Sequence, residues 1–220
     1  MCGRYTVYTP AETLAQRFHA ELPMDLLRPT YNAAPSQDLP VIRSGQPQAI
    51  TLASWGFVPE WAKGKDVKPI INARAESIAD KPFFRNAFRH KRCLVPADGF
   101  YEWKKMGTRK VPYYVALKSE EPFAFAGLWS TVHDTDGNAF ATFALITTEP
   151  NELMADIHHR MPVILRQADE QNWLDPGLAR EDAASMLTPY PATAMSIHPV
   201  STRVNAPTYN VPEAIVAVSQ

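Results

Sequence analysis

Twenty of the 220 residues are proline, against a usual share of about 5%. Proline has no backbone N–H and breaks a helix interior. A chain punctuated this often can hold only short helices, so strands and turns must build most of its fold. Its length suits one large domain or two small ones and is enough for a sizeable core.

The helix signals are correspondingly brief. Thr9-Pro10-Ala11-Glu12 predicts a start, with Thr9 as cap, Pro10 in the first helical position and Glu12 completing a capping box. Ala11, Leu14, Ala15 and Phe18 form its apolar face. Pro82–His90 reads as a short helix with Phe83, Phe84 and Phe88 turned inward. A helical turn is expected near Asn151–Asp156, and helices over Ala168–Leu174 and Leu178–Leu187. Residues 20–37 read as irregular and 58–69 as a loop.

Strand patterns cover Pro40–Arg43, Ala49–Trp55, Cys93–Pro96, Gly99–Lys104, Val111–Leu117, Phe123–Trp129 and Phe140–Thr147. Asp136-Gly137 fits a hairpin turn. Met161–Leu165 and a final pair, Ala194–Val200 with Ala214–Val218, complete the set. No repeat or linker is visible. The expectation is one α+β domain over residues 1–220, with a curved, mainly antiparallel, barrel-like sheet flanked by short helices.

Several functional classes are disfavoured. No apolar run approaches the ~20 residues of a membrane helix, and no basic-then-apolar leader opens the chain. An intracellular protein without a membrane partner is expected. Two cysteines, Cys2 and Cys93, fit a reducing compartment and no disulfide framework. Cys-x-x-Cys and His-Glu-x-x-His patterns are missing, and His158 and His159 are adjacent rather than one helical turn apart. Neither a metal nor a cofactor is expected. Net charge is −1, unlike a general nucleic-acid coat. Residues 81–110, however, hold nine cationic side chains against two acidic ones, a local +7. Such a stretch can mark a phosphate-binding face or simply a solvated one.

Cys2 carries the sharpest chemical signal. Aminopeptidases remove an initiator Met ahead of a small residue, and Cys is small. Cys2 would then present a free α-amine and a thiol on adjacent carbons. With ordinary pKa values of about 7.7–8.0 and 8.5, both are partly reactive near neutral pH. A 1,2-aminothiol condenses with an aldehyde to an imine, and the thiol then closes a thiazolidine ring. The competing reading is a small residue packed as a hydrophobe.

Six segments place polar chemistry on locally rigid chain, in this order: Met1-Cys2-Gly3-Arg4, Tyr31-Asn32-Ala33-Ala34-Pro35, Trp55-Gly56-Phe57-Val58-Pro59-Glu60-Trp61, Ile71-Asn72-Ala73-Arg74-Ala75-Glu76, Asp98-Gly99-Phe100-Tyr101-Glu102-Trp103 and His158-His159-Arg160-Met161-Pro162. Together they resemble the SRAP family of SOS-response-associated peptidases, from Cys2 to Val204-Asn205. The resemblance implies loss of Met1 and covalent capture, by Cys2, of the aldehyde of abasic sites in single-stranded DNA. The protein would work in the bacterial cytoplasm, associating with the nucleoid when bound to DNA. It also implies roles. Glu102 would be the catalytic carboxylate, shuttling the proton that imine formation requires. Its aromatic neighbours would raise its pKa by desolvation. Its alternative is a sheet-edge Glu pairing with Lys104 or Lys105. His158 would act on the sugar hydroxyl, with His159 a solvated neighbour. Asn72 would orient the amine or the opened sugar; otherwise it caps a loop. Arg4 and Arg74 would bind phosphate, Pro35 would shape backbone beside Cys2, and Trp61 would stack on a base. An aromatic often follows Trp61 in relatives, and Ala62 stands there instead. Arg85, Arg89 and Arg160 could extend the basic surface.

Two other classes stay open on sequence alone. One is an N-terminal-nucleophile hydrolase, whose thiol attacks an amide; it would also account for autoproteolytic removal of Met1. The other is a non-covalent module for single-stranded or modified-base DNA, drawing on residues 81–110 and Trp61.

Overall fold

A computed structural model describes residues 2–22, 27–62, 65, 67–133 and 136–219. Met1, and hence its removal, lies outside the described residues. So do 23–26 of the irregular stretch, parts of the 58–69 loop and 134–135 beside the expected hairpin turn.

The strands and helices follow in order β1 (Tyr5–Val7), α1 (Ala11–Phe18), β2 (Thr30–Ala33), β3 (Asp38–Arg43), β4 (Gln46–Trp55), β5 (Asn72–Arg74), α2 (Ala75–Ile78), α3 (Arg85–His90), β6 (Arg92–Ala97), β7 (Gly99–Met106), β8 (Arg109–Leu117), β9 (Phe123–His133), β10 (Ala139–Thr148), α4 (Glu152–Ala155), β11 (Met161–Pro162), α5 (Glu170–Leu174), α6 (Arg180–Ser185) and β12 (Met195–Pro199). None of these helices exceeds the eight residues of α1, as the proline content requires. No helix of the described residues is long and apolar enough to cross a membrane.

Five strands close on themselves. Strand β4 pairs β3, β3 pairs β6, β6 pairs β9 and β9 pairs β10, all antiparallel. Parallel pairing of Thr142 and Phe143 on β10 with Ser54 and Trp55 on β4 completes the barrel. Closure leaves the barrel no edge to aggregate. Pro40 sits in β3 at no cost to the ladder, because pairing with β6 begins only at Ile42. The expected α+β class and curved, barrel-like sheet are therefore present.

A second sheet, ordered β12-β8-β7-β1-β2, packs on this barrel. Tyr5 of β1 is fully buried, with ring centroids 5.1 Å from Trp55 and 5.8 Å from Phe125. Each such buried aromatic is worth about 1.5–3 kcal/mol. This aromatic contact anchors β1, and with it the chain start, against the barrel.

The outer face of the second sheet buries Tyr101 and Tyr114 with Val200, Val204 and Ala214 from the C-terminal segment. Asn32 holds that segment down: its Nδ2 donates to the carbonyls of Val204, Ala206 and Tyr209, each at 3.1 Å.

Local departures from the sequence reading have physical causes. Thr9 does not cap α1. Pro10 occupies the cap position with no side-chain cap, and the Thr9 hydroxyl donates to Asp98 Oδ1 instead. A carboxylate attracts a donor more strongly than an amide N–H attracts a hydroxyl oxygen. Strand β2 lies inside the stretch expected to be irregular, recruited by pairing of Ala33 with Tyr5. Only Met161–Pro162 of the Met161–Leu165 run forms strand. In the Ala214–Val218 run, Pro212–Ile215 is a 3-10 turn and a lone bridge joins Ala217 to Val200. The hairpin turn does use Gly137, with φ +87°.

Candidate active site

Strand β10 outlasts the barrel, and the site grows on that excess. After β10 leaves β4, its residues Leu145, Ile146 and Thr147 pair with Asn72, Ala73 and Arg74 of β5. On its other side, Thr147 and Thr148 pair with Pro162 and Met161 of β11. The Asn72 segment and the His158 segment are thus clamped to one strand end. Alternation along β5 buries Ala73 and sets Asn72 and Arg74 on the opposite face. Strand β7 supplies the remaining wall. Phe100 belongs to the main core, and Glu102, two residues on, shares its face. Tyr101 and Trp103 face the second cluster.

Cys2 and Asn72 meet directly. Asn72 Nδ2 donates to the Cys2 carbonyl at 2.8 Å, and Asn72 Oδ1 is buried with no hydrogen-bond partner among the described residues. Cys2 is fully buried, with its Sγ 3.6 Å from the Arg4 carbonyl. Burial drives the thiol well above its usual range, and the nearby Glu102 charge adds to this. The thiol is therefore held protonated.

Glu102 is 2% exposed. It lies on an interior strand, opposite Tyr113 of β8, so the sheet-edge alternative does not describe it. Desolvation raises its carboxyl above the ordinary range, as the sequence predicts. The cause is depth beside Cys2 and the core, since Tyr101 and Trp103 point to the other face.

His158 shares a cavity of about 650 Å³ with Glu102. His158 Nδ1 lies 3.0 Å from the Arg160 backbone nitrogen and 3.2 Å from the Arg160 carbonyl. In the neutral ring with its proton on Nδ1, that proton goes to the carbonyl and Nε2 is the basic nitrogen. Burial lowers the His158 pKa, favouring that neutral ring. His159 is exposed and stacks on it at 4.3 Å between centroids.

The remaining expected residues divide. Arg74 is exposed on the face it shares with Asn72. Pro35 occupies the corner of a tight turn from Ala34 to Gln37, with Ser36 at φ +71°. It follows Ala33, the partner of Tyr5, in the direction of Gly3. Arg4 is committed within the protein: its guanidinium donates to Asn32 Oδ1 at 2.8 Å, to the Val204 carbonyl at 2.9 Å and to that of Asn205 at 3.1 Å. Trp61 is 53% exposed and packs edge-on against Phe83 at 6.1 Å. It lines a different groove from the cavity of Glu102 and His158.

Arg160 plays a part that sequence reading missed. Expected on a basic surface, it is 9% exposed. It grips Glu76 with both terminal nitrogens, at 2.5 and 3.0 Å, and donates to the Thr147 carbonyl. It therefore clamps the His158 loop to α2 and β10. Its place in the His-Arg-Met-Pro segment was the available signal. The +7 stretch also breaks apart. Arg92 is buried and donates to the carbonyls of Phe88, Arg89, Trp173 and Asp175, while Lys91 pairs with Glu60 at 2.7 Å. No group of three or more metal-ligating side chains occurs among the described residues.

The chain as a whole is similar to known proteins. The profile of the SOS response associated peptidase (SRAP) family matches residues 1–207. The abasic site processing protein YoqW of Bacillus subtilis is 43% identical over 98% of this chain and 99% of its own. The abasic site processing protein YedK of Escherichia coli is 30% identical over 93% of this chain and 94% of its own. A crystal structure of a Bacteroides thetaiotaomicron protein superposes with a TM-score of 0.91 at 30% identity, covering 99% of this chain and all of that one.

Proposed function

This chain belongs to the SRAP family, and from that premise we propose that it captures abasic sites in single-stranded DNA covalently through Cys2. The relatives are named for abasic site processing, which supports the substrate class. The observation that carries the chemistry is the convergence of Cys2, Asn72 and Glu102, with His158 lining the same cavity as Glu102.

The steps balance without a cofactor. Met1 is first removed, freeing the Cys2 amine. An abasic sugar opens to an aldehyde as its C1′–O4′ bond breaks: neutral His158, its Nδ1–H turned to the Arg160 carbonyl, takes the C1′ hydroxyl proton on Nε2 and returns it to O4′. The amine nitrogen bonds to the aldehyde carbon, and the carbinolamine oxygen leaves as water with a proton from Glu102. The Cys2 sulfur then bonds to the imine carbon as the C=N pair shifts to nitrogen. Nitrogen ends neutral, and the thiol proton goes to the Glu102 carboxylate, which is restored as an acid. The product is a thiazolidine, and the protein stays on the strand. Asn72 Oδ1 is suited to accept from the amine or a sugar hydroxyl. Arg74 on the same face would hold phosphate, Pro35 would shape the entry beside Gly3, and Trp61 would stack on a base away from the sugar. Arg4 would serve by fixing the backbone behind Cys2 as well as by its charge. Residues 1–220 would act as one domain in the cytoplasm.

The protonated thiol weighs against a general cysteine peptidase. Such enzymes need a lowered thiol pKa, whereas here burial raises it. Imine formation makes no such demand, because nitrogen attacks first.

The test incubates Met1-processed protein with single-stranded DNA bearing one abasic site and resolves the mixture on a denaturing gel beside Cys2→Ala. A stable adduct that vanishes in the variant is expected. An equal adduct from Cys2→Ala, or none from protein confirmed to start at Cys2, would overturn the reading.

A further inference from the structure

Register on the β7–β8 hairpin sets Lys105 directly opposite Lys110. Side chains opposed in an antiparallel ladder lie close, and like charges there repel. Both lysines are exposed, and neither has an ion-pair or hydrogen-bond partner among the described residues. Elsewhere in the cationic stretch, Lys91 and Arg92 have found acceptors. This pair instead lines the cavity that holds Glu102 and His158. The Lys110 charge reaches His158 and contributes to lowering its pKa.

An abasic nucleotide offers no base to recognise. Its fixed handles are the two phosphodiesters that flank the sugar. A protein that brings the sugar to Cys2 must bring one of those phosphates to within a few ångströms of the cavity wall. Two unneutralised ammoniums there match it: each is a compact charge with three donors, indifferent to base sequence.

We infer that Lys105 and Lys110 form a clamp for a phosphodiester flanking the abasic sugar at the mouth of the Glu102–His158 cavity. The inference rests on the abasic-DNA reading above and adds the group that registers the strand on the site. Bound phosphate would also relieve the repulsion between the lysines.

The experiment compares wild type with Lys105→Gln/Lys110→Gln and Lys105→Arg/Lys110→Arg. Crosslinking rates are followed across salt at subsaturating and saturating DNA. A second substrate set replaces each flanking phosphate in turn by a neutral methylphosphonate. The Gln pair should slow subsaturating capture about tenfold, the size of one lost charged hydrogen bond. Its salt dependence should flatten by about 0.7 in log–log slope, one phosphate on a single strand. At pH 8, where an imidazole is neutral with or without the Lys110 charge, the rate at saturating DNA should be unchanged, and the Arg pair should recover capture. One methylphosphonate should slow wild type similarly and leave the Gln pair indifferent. Unchanged capture and slope in the Gln pair would overturn the clamp while leaving covalent capture intact. So would a methylphosphonate penalty equal in both proteins, or a loss confined to saturating DNA. A wild type that never crosslinks would remove the function and the clamp together.

Discussion

Glu102, the proposed proton donor, carries a stability cost. Its folded pKa lies above the ordinary value because burial disfavours the charged form. Below about pH 4.3 the carboxyl is neutral in folded and unfolded chains alike. As pH rises past that value the unfolded chain ionises first, so the folded form loses stability until its own pKa is passed. Glu102→Gln removes the penalty. The variant should melt at a higher temperature than wild type at pH 7, and the two should converge near pH 4. In the same variant crosslinking should slow by about 10²-fold, with initial DNA affinity little changed. A fall in both melting temperature and affinity would mark Glu102 as structural.

At the scale of elements, the site depends on two clamps that hold its walls in place. Arg160 holds the loop before β11 to α2 and β10. Lysine keeps the charge but cannot reach Glu76 and Thr147 with one fork. Arg160→Lys should cost about 1.5–3 kcal/mol in denaturant melts. Glu76 is held below the usual carboxylate range, chiefly by the Arg160 hydrogen bonds. That contribution is present above the unfolded value of about 4.3 and is lost as pH falls through the folded one. The deficit of Arg160→Lys should therefore shrink in acid; a constant deficit would assign it all to Thr147. The second clamp is the start of β7. A Cβ on Gly99 would stand 2.3 Å from the Tyr114 hydroxyl, which is itself bonded to Thr6 at 2.9 Å. Gly99→Ala should displace Tyr114 and destabilise by about 1–3 kcal/mol, read as a lower midpoint in urea. The glycine within the Glu102 segment thus serves strand packing.

The molecule as a whole is organised around barrel closure. Gly127 of β9 lies where strands crowd: an added Cβ would meet Cys93 Sγ at 2.8 Å and the Ala144 carbonyl at 3.2 Å, on β6 and β10. Gly127→Ala should lower stability by about 1–3 kcal/mol. The loss should appear in one cooperative transition shared by far-ultraviolet dichroism and tryptophan fluorescence, because Trp55 and Phe143 sit on the strands that close the ring. Separate transitions would mean that the barrel and the second sheet unfold independently.

Local chemistry was legible in the residues themselves. Prolines limited the helices, alternation marked the central strands, Cys2 stood out by its place after Met1, and the resemblance carried by the ordered segments pointed to Asn72, Glu102 and His158. What sequence could not carry was partnership across the chain. Strand β2 exists because Ala33 finds Tyr5. Arg4 donates to a carbonyl 200 residues away, and Arg160 looked like surface until Glu76 and Thr147 closed on it. The +7 stretch was one feature in sequence and several in space: Arg92 turned inward, Lys91 went to Glu60, and Lys105 and Lys110 alone reached the cavity of Glu102 and His158. Periodicity and propensity are set by neighbours within a few residues, so sequence fixes them. Burial, pairing and the pKa of a carboxyl depend on which distant surfaces exclude water from it, and only tertiary structure decides that.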